Sequence, residues 1–180
     1  GNIQLAEMDI EDGDIESARA RLRRLDSRWP GNSRVNLDFA RISLLEGRPG
    51  EALESALSSH RQTPFYYTEE LALGFGLIAD ASGKLGKRED AAVYRLLARE
   101  VGRGGDFFQI LSSLARKLLK KKKPVPAERV ADEMLNRFPD NSLASAWKAE
   151  ALLARDRHEE ARRFAERAAG ESDPRYLRDR

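Results

Sequence analysis

The sequence predicts an all-α solenoid of about five stacked helical hairpins. Residues 34–64 read RVNLDFARISLLEGRPGEALESALSSHRQTP. Two apolar runs at helical spacing flank a Gly-Arg-Pro-Gly breaker, and Pro64 closes the second run. Gly47, Ala52 and Pro64 each have a counterpart 34 residues earlier, in Gly13, Ala18 and Pro30. A fixed period of this size marks hairpins that bury their apolar faces against neighbouring copies. No stretch alternates with strand period, and Ala, Leu, Arg and Glu, all helix formers, dominate the composition.

The elements follow in order. The first repeat has helices over about Ile3–Glu11 and Ile15–Arg28, separated by the DGD breaker and stopped by Trp29-Pro30-Gly31-Asn32. Asn32 or Ser33 caps the next helix, near Arg34–Glu46, and Pro49 suits the first turn of its partner, which runs to about Arg61. In the third repeat Gly86 and Ala91 keep the glycine-to-alanine spacing of five, but the offset from the second repeat is 39. About five residues are therefore inserted, and PFYYTEELALGFG, at the start of that repeat's first helix, is where they are expected. Gly74, Gly76 and Gly83 weaken this helix. Its partner spans about Arg88–Val101 and stops at Gly102-Arg103-Gly104-Gly105 without a proline. The fourth repeat pairs Phe107–Lys121 with Ala127–Arg137 across a KKPVP turn. The fifth pairs Ser142–Arg155 with His158–Ala169, with Gly170 and Pro174 as punctuation. The reading is one array over 1–180, with repeats at about 1–31, 32–64, 65–103, 104–139 and 140–174 and a further helix starting in 175–180.

Composition narrows the function classes. The chain has 180 residues, 41% hydrophobic and 34% charged, with 32 basic against 30 acidic side chains. A net charge of +2 lacks the excess typical of a nucleic-acid binder. The charge is uneven: residues 7–16 hold six acids and no base, whereas residues 107–123 hold Arg116, Lys117 and Lys120–Lys123 and no acid. With no cysteine there is no disulfide, no thiolate zinc site and no thiol nucleophile. No apolar run approaches the roughly 20 residues that span a bilayer, so no membrane insertion is expected. No signal peptide is visible, and the start at Gly1 and the RYLRDR end read as an excised piece of a longer protein.

Aligned on these markers, the repeats resemble tetratricopeptide repeats. The small residue of each first helix falls on Ala6, Ala40, Ala79, Ala115 and Ala149; that of each second helix falls on Ala18, Ala52, Ala91, Ala127 and Ala161. A small side chain there lets crossing helix backbones approach. The turn glycine, present as Gly13, Gly47 and Gly86, becomes Lys122 and Asp156 in the last two repeats. The family's aromatic positions are largely replaced, for example by Asn36, Ser43, Phe75 and Leu118. The resemblance implies a right-handed superhelix whose first helices line a concave groove that holds a peptide or partner protein. Its groove positions map onto Arg34, Leu37, Arg41 and Leu44, then Leu73 and Asp80. In the last two repeats they map onto Gln109, Ser112, Arg116, Leu119 and Glu150. Ile3, Glu7, Ile10, Gly76, Leu143, Ala146 and Leu153 complete the set. Apolar residues mixed with charges of both signs suit an extended peptide or a partner helix. The paired Lys and Asn with which part of the family grips a C-terminal carboxylate are absent; Leu37/Arg41 and Gly76/Asp80 stand there.

Other candidates have blander readings. Lys120, Lys121, Lys122 and Lys123 read as a solvated helix end that complements the helix dipole, with an acidic protein or a polyanion as the alternative; aromatic residues to stack bases are missing nearby. Phe65, Tyr66 and Tyr67 read as filling around the longer helix, with an exposed contact site as the alternative. Trp29 and Trp147 read as packing residues. His60 and His158 lie in different repeats, so no metal site is expected. GKLGK at 83–87 lacks the spacer and the Ser or Thr of a phosphate loop. No catalytic residue and no cofactor is assigned. The expected function is a non-enzymatic scaffold that binds another protein. The Ala/Arg-rich, cysteine-free style reads as bacterial, and the resemblance then suggests a periplasmic or cytoplasmic envelope-associated assembly for secretion, pili or polysaccharide export. A self-assembling oligomer, or a peptide-sensing or ligand-sensing regulatory domain, is the alternative.

Overall fold

The computed structural model describes residues 1–170, and these form ten α-helices with no strand among them. The expected further helix in 175–180, and the Pro174 marker, lie outside the described residues. The helices are α1 (Asn2–Glu11), α2 (Ile15–Arg28), α3 (Ser33–Leu45), α4 (Pro49–Gln62) and α5 (Thr68–Lys84). They continue as α6 (Arg88–Val101), α7 (Phe107–Lys120), α8 (Pro124–Arg137), α9 (Ser142–Leu153) and α10 (His158–Gly170). Consecutive helices pair into five hairpins.

The chain divides into two compact units, Gly1–Gly104 and the part from Gly105 onward, where the sequence reads as one array. The division falls in the proline-free Gly102–Gly105 stop, whose glycines leave the backbone least restrained. In the first unit three hairpins stack, with α3 packed against α1 and α5. Ala18, Leu22, Val35 and Ile42 form part of its core, and Ile3, Ile15 and Phe39 pack against that core. In the second unit two described hairpins stack through α7 on α9 and α8 on α9, around Leu111, Val130, Met134 and Leu152. All ten register alanines are buried, as close helix crossing requires.

Each hairpin turns in the same way. A residue one or, in the last hairpin, two positions after the capping residue has a positive φ: 80° at Gly13, 71° at Gly47, 76° at Gly86, 55° at Lys122 and 58° at Asp156. The following amide then bonds back across the turn: Arg48 N–H donates to Ser43 C=O at 2.8 Å, and Lys123 N–H to Leu118 C=O at 2.9 Å. This is the Schellman closure, which satisfies carbonyls the helix end leaves free. Asp14, Asn32, Asp106 and Asn141 cap α2, α3, α7 and α9 by accepting from backbone N–H groups.

Three local readings change. Pro124 and Pro126 belong to the first turn of α8 rather than to a turn before it; a missing N–H costs nothing where no helical acceptor exists. The insertion in the third repeat is mostly one extra helical turn: α5 has 17 residues against 13 in α3, and the added length precedes Ala79. Trp29 is 55% exposed instead of packed, because it ends α2 at an extended C-cap and carries the Arg28 guanidinium 5.6 Å from its ring centroid.

Candidate protein-binding groove

Stacking brings together the C-terminal halves of α1, α3 and α5, the first helices of the three hairpins of the first unit. A groove of about 700 Å³ results, with Ile10 from α1, Arg41 and Leu44 from α3, and Leu77, Asp80 and Lys84 from α5 on its walls. Leu45, Gly83 and Arg95 complete it. Leu44 is half-buried and Leu45 is 64% exposed, so apolar surface remains open to solvent. Arg95 Nη2 lies 3.5 Å from Asp80 Oδ1. Both side chains are largely exposed, so this pair holds little energy and is free to exchange partners.

Arg41 has a different setting. Its Nη1 donates to Asp38 Oδ1 at 3.4 Å. Asp38 is fully buried, and its Oδ2 has no hydrogen-bond partner. Burial, with Glu7 adding repulsion, pushes the Asp38 carboxyl up to about 6, against the opposing pull of Arg41 and Arg34. Arg41 is thus held at the groove wall by a carboxylate beneath it.

Of the residues expected in the groove, Arg41, Leu44, Asp80 and Ile10 come together here. Arg34 does not: its Nε donates to Glu7 Oε1 at 2.6 Å, and it borders two other hollows. One, of about 520 Å³, also involves Ile3, Leu25 and Trp29; the other, of about 330 Å³, involves Tyr66, Tyr67 and Glu70. Leu37 and Ser112 are corrections. Leu37 is wholly buried and Ser112 is 4% exposed, so neither can meet a partner. Leu37 lies beside Gly74 of α5, a covering that sequence spacing alone leaves undetermined. Leu73 is exposed but is absent from the groove walls.

In the second unit Gln109, Arg116 and Glu150 are exposed and Leu119 is half-buried, on the first helices of their hairpins. Lys120 to Lys123 are exposed. Phe65, Tyr66 and Tyr67 are 42%, 66% and 54% exposed and touch one another edge-on or tilted, so they do not fill the space beside α5. Leu45, Leu77, Gly83, Lys84 and Arg95 are the groove residues that sequence reasoning missed. Leu45 and Lys84 sit within one turn of a helix end, where the apolar period had already closed, and Arg95 comes from the second helix of its hairpin. Among the described residues no group of three His, Asp or Glu side chains could hold a metal ion.

No family model and no curated protein matches the chain. Solved structures do. The MamA protein is 13% identical with a TM-score of 0.46, covering 99% of this chain and 94% of its own. Pseudomonas aeruginosa pilF is 18% identical with a TM-score of 0.49, covering 94% and 74%. The TPR2AB domain of yeast Sti1, in its pHSP90 complex, is 15% identical with a TM-score of 0.48, covering 96% and 76%. At these scores the hairpin type rests on the chain's own geometry: buried alanines in register, a shared left-handed turn and first helices stacked on first helices. The described residues form stacked helical hairpins that resemble tetratricopeptide repeats, three in the first unit and two in the second.

Proposed function

We propose that the chain is a protein-interaction scaffold, without catalytic activity, whose groove between α1, α3 and α5 holds a segment of another protein. The observation that carries this is the groove itself: open apolar surface at Leu44 and Leu45, beside three cations, Arg41, Lys84 and Arg95, and one acid, Asp80. Such a surface suits a segment with spaced apolar side chains and carboxylates. Gln109, Arg116, Leu119 and Glu150 extend the proposal to the second unit. A bacterial envelope assembly for secretion, pili or polysaccharide export remains the setting this reading favours, on sequence style and family resemblance.

The test uses the chain as bait in bacterial lysate, with Leu44→Asp and Arg41→Glu variants beside it. Loss of the same captured protein in both variants, with helicity kept and with capture surviving high salt, supports an apolar groove complex. Capture unchanged in both would sink the reading.

A second reading has its own observation. Glu11, Asp12 and Glu16 are exposed at the end of the first hairpin, and Arg116, Lys117 and Lys120 are exposed on α7. Opposite charges on two copies would then drive self-assembly. Light scattering with size-exclusion chromatography at low and high salt separates the two: a salt-sensitive oligomer favours self-assembly, and a monomer at both salts removes it. A ligand-sensing domain would need a closed pocket, whereas Leu45, Asp80, Lys84 and Arg95 leave this groove open.

A further inference from the structure

The tip of the α7–α8 hairpin concentrates positive charge in a way the groove does not use. Arg116, Lys117 and Lys120–Lys123 are all exposed, and none of the six is in an ion pair among the described residues. What sets this stretch apart is density, six cations within residues 116–123 and no acid among them, whereas Arg19, Arg21, Arg34, Arg48, Arg155 and Arg157 all meet carboxylates. The choice of cation is also unusual. The chain has 24 arginines and 8 lysines, yet five of the lysines fall in residues 117–123. Arginine offers a rigid fork for a single carboxylate or phosphate, whereas lysine is a compact, strongly hydrated point charge on a flexible stem. A run of lysines therefore matches a diffuse, hydrated anionic surface better than one specific anion.

The turn backbone points the same way. Lys122 has a φ of 55°, in the left-handed region that three of the five hairpins fill with glycine. A side chain there is held at a conformational cost of about 1 kcal/mol, and it projects a fourth consecutive ammonium at the tip. The segment has no aromatic side chain between Phe108 and Phe138 on which bases could stack, which argues against single-stranded nucleic acid.

We propose that the α7–α8 tip is an electrostatic docking site for a bilayer rich in anionic headgroups. Clusters of four to eight Lys or Arg gain roughly a fivefold increase in partitioning per residue near such a surface, and the attraction decays within a Debye length. No helix among the described residues is long and apolar enough to cross a membrane, so the contact is peripheral.

Vesicle co-sedimentation tests this. The whole chain is mixed with phosphatidylcholine vesicles, or with vesicles containing about one-third phosphatidylserine, at about 0.1 and 0.5 M salt. A triple variant, Lys120→Gln, Lys121→Gln and Lys123→Gln, is compared with Arg23→Gln, Arg24→Gln and Arg88→Gln, which alters exposed cations elsewhere to the same net charge. Lys122 is kept so that the turn is unchanged. The expected result is sedimentation with the anionic vesicles only, weakened about a hundredfold in the lysine variant, little changed in the arginine variant and lost at high salt. Equal binding to neutral vesicles, equal loss in both variants, or no binding to anionic vesicles overturns the proposal. So does tighter binding of poly-glutamate or of a single-stranded oligonucleotide, which would assign the tip to another partner.

Discussion

At the scale of single residues, the turns show which side chains the backbone selects and which it tolerates. A Cβ at Gly47 would meet nothing within 4 Å, so the cost of a side chain there is conformational and not steric. Gly47→Ala is expected to lower stability by roughly 1 kcal/mol. The reverse change, Lys122→Gly, should raise it by up to about 1 kcal/mol, since the same φ is relieved. Asp156→Gly should gain less, because Asp tolerates this region better than Lys. Urea midpoints of the three variants check the order, and a Lys122→Gly protein no more stable than wild type would refute it. The buried carboxyl makes a pH prediction. Because the Asp38 carboxyl is raised to about 6, the folded state holds a proton that the unfolded chain has already released between about pH 4 and 6. Its contribution to stability therefore falls as pH rises through that window, and above pH 6 the ionised group costs on the order of 3 kcal/mol. Asp38→Asn should match wild type near pH 4 and exceed it near pH 7.5, as thermal melts at both values would show. An equal gap at both pH values would mean that Asp38 does not titrate as its burial demands.

Helices and hairpins are the scale at which the sequence was most legible. The helices pair around the register alanines, whose offsets are 34, 39, 36 and 34 residues, because a small residue at each crossing is tied to one packing requirement even where the turn glycine is replaced by Lys122 or Asp156. The extra turn of α5 was legible as an offset of 39 between glycines. What escaped is how deeply each position is covered. Leu37 and Leu44 both fit the groove face by spacing, yet Leu37 is buried and Leu44 is on the groove wall. Residues seven apart on a helix point the same way to within about 20°, so position along α3 separates them: Leu37 lies beside Gly74 of α5, whereas Leu44 lies at the helix end. Trp29 escaped because a residue next to a helix stop has no periodic face. The aromatic triad before α5 gives the element-scale prediction. Since Phe65, Tyr66 and Tyr67 are exposed, replacing Tyr66 and Tyr67 with alanine should shift the thermal midpoint by no more than a surface change does, within about 0.5 kcal/mol. Ala52→Leu, by contrast, forces a bulky side chain into a fully buried helix crossing and should cost about 1–3 kcal/mol. If the tyrosine variant loses more stability than the alanine one, the triad is a packing element after all.

At the scale of the whole chain, stability depends on how many hairpins each compact unit holds. A single hairpin cannot bury its apolar face alone, and stacked arrays gain stability from neighbour interfaces, so about three repeats are the usual minimum. The first unit has three hairpins, and its middle pair is covered on both sides: α3 packs on α1 and α5, and α4 also meets α5. Phe75, at its centre, is fully buried, with the His60 ring centroid 4.7 Å away. The described part of the second unit has two hairpins and one interface, between α7–α8 and α9–α10. That interface is tied by Glu128, whose carboxylate accepts from Arg157 Nη1 at 2.8 Å and also from Arg155. α10 buries only Ala161. The two units should therefore differ as isolated fragments. Residues 1–104 should fold alone, with helical circular dichroism and a single cooperative thermal transition. Residues 105–180 should show a broad, weakly cooperative transition or little helix. Glu128→Ala in the whole chain should lower stability by about 1–3 kcal/mol, since a nearly buried carboxylate shared by two guanidinium groups is lost and both cations are left without it. A second fragment that melts as sharply as the first would show that two hairpins, with the ion cluster between them, are enough to form a cooperative unit.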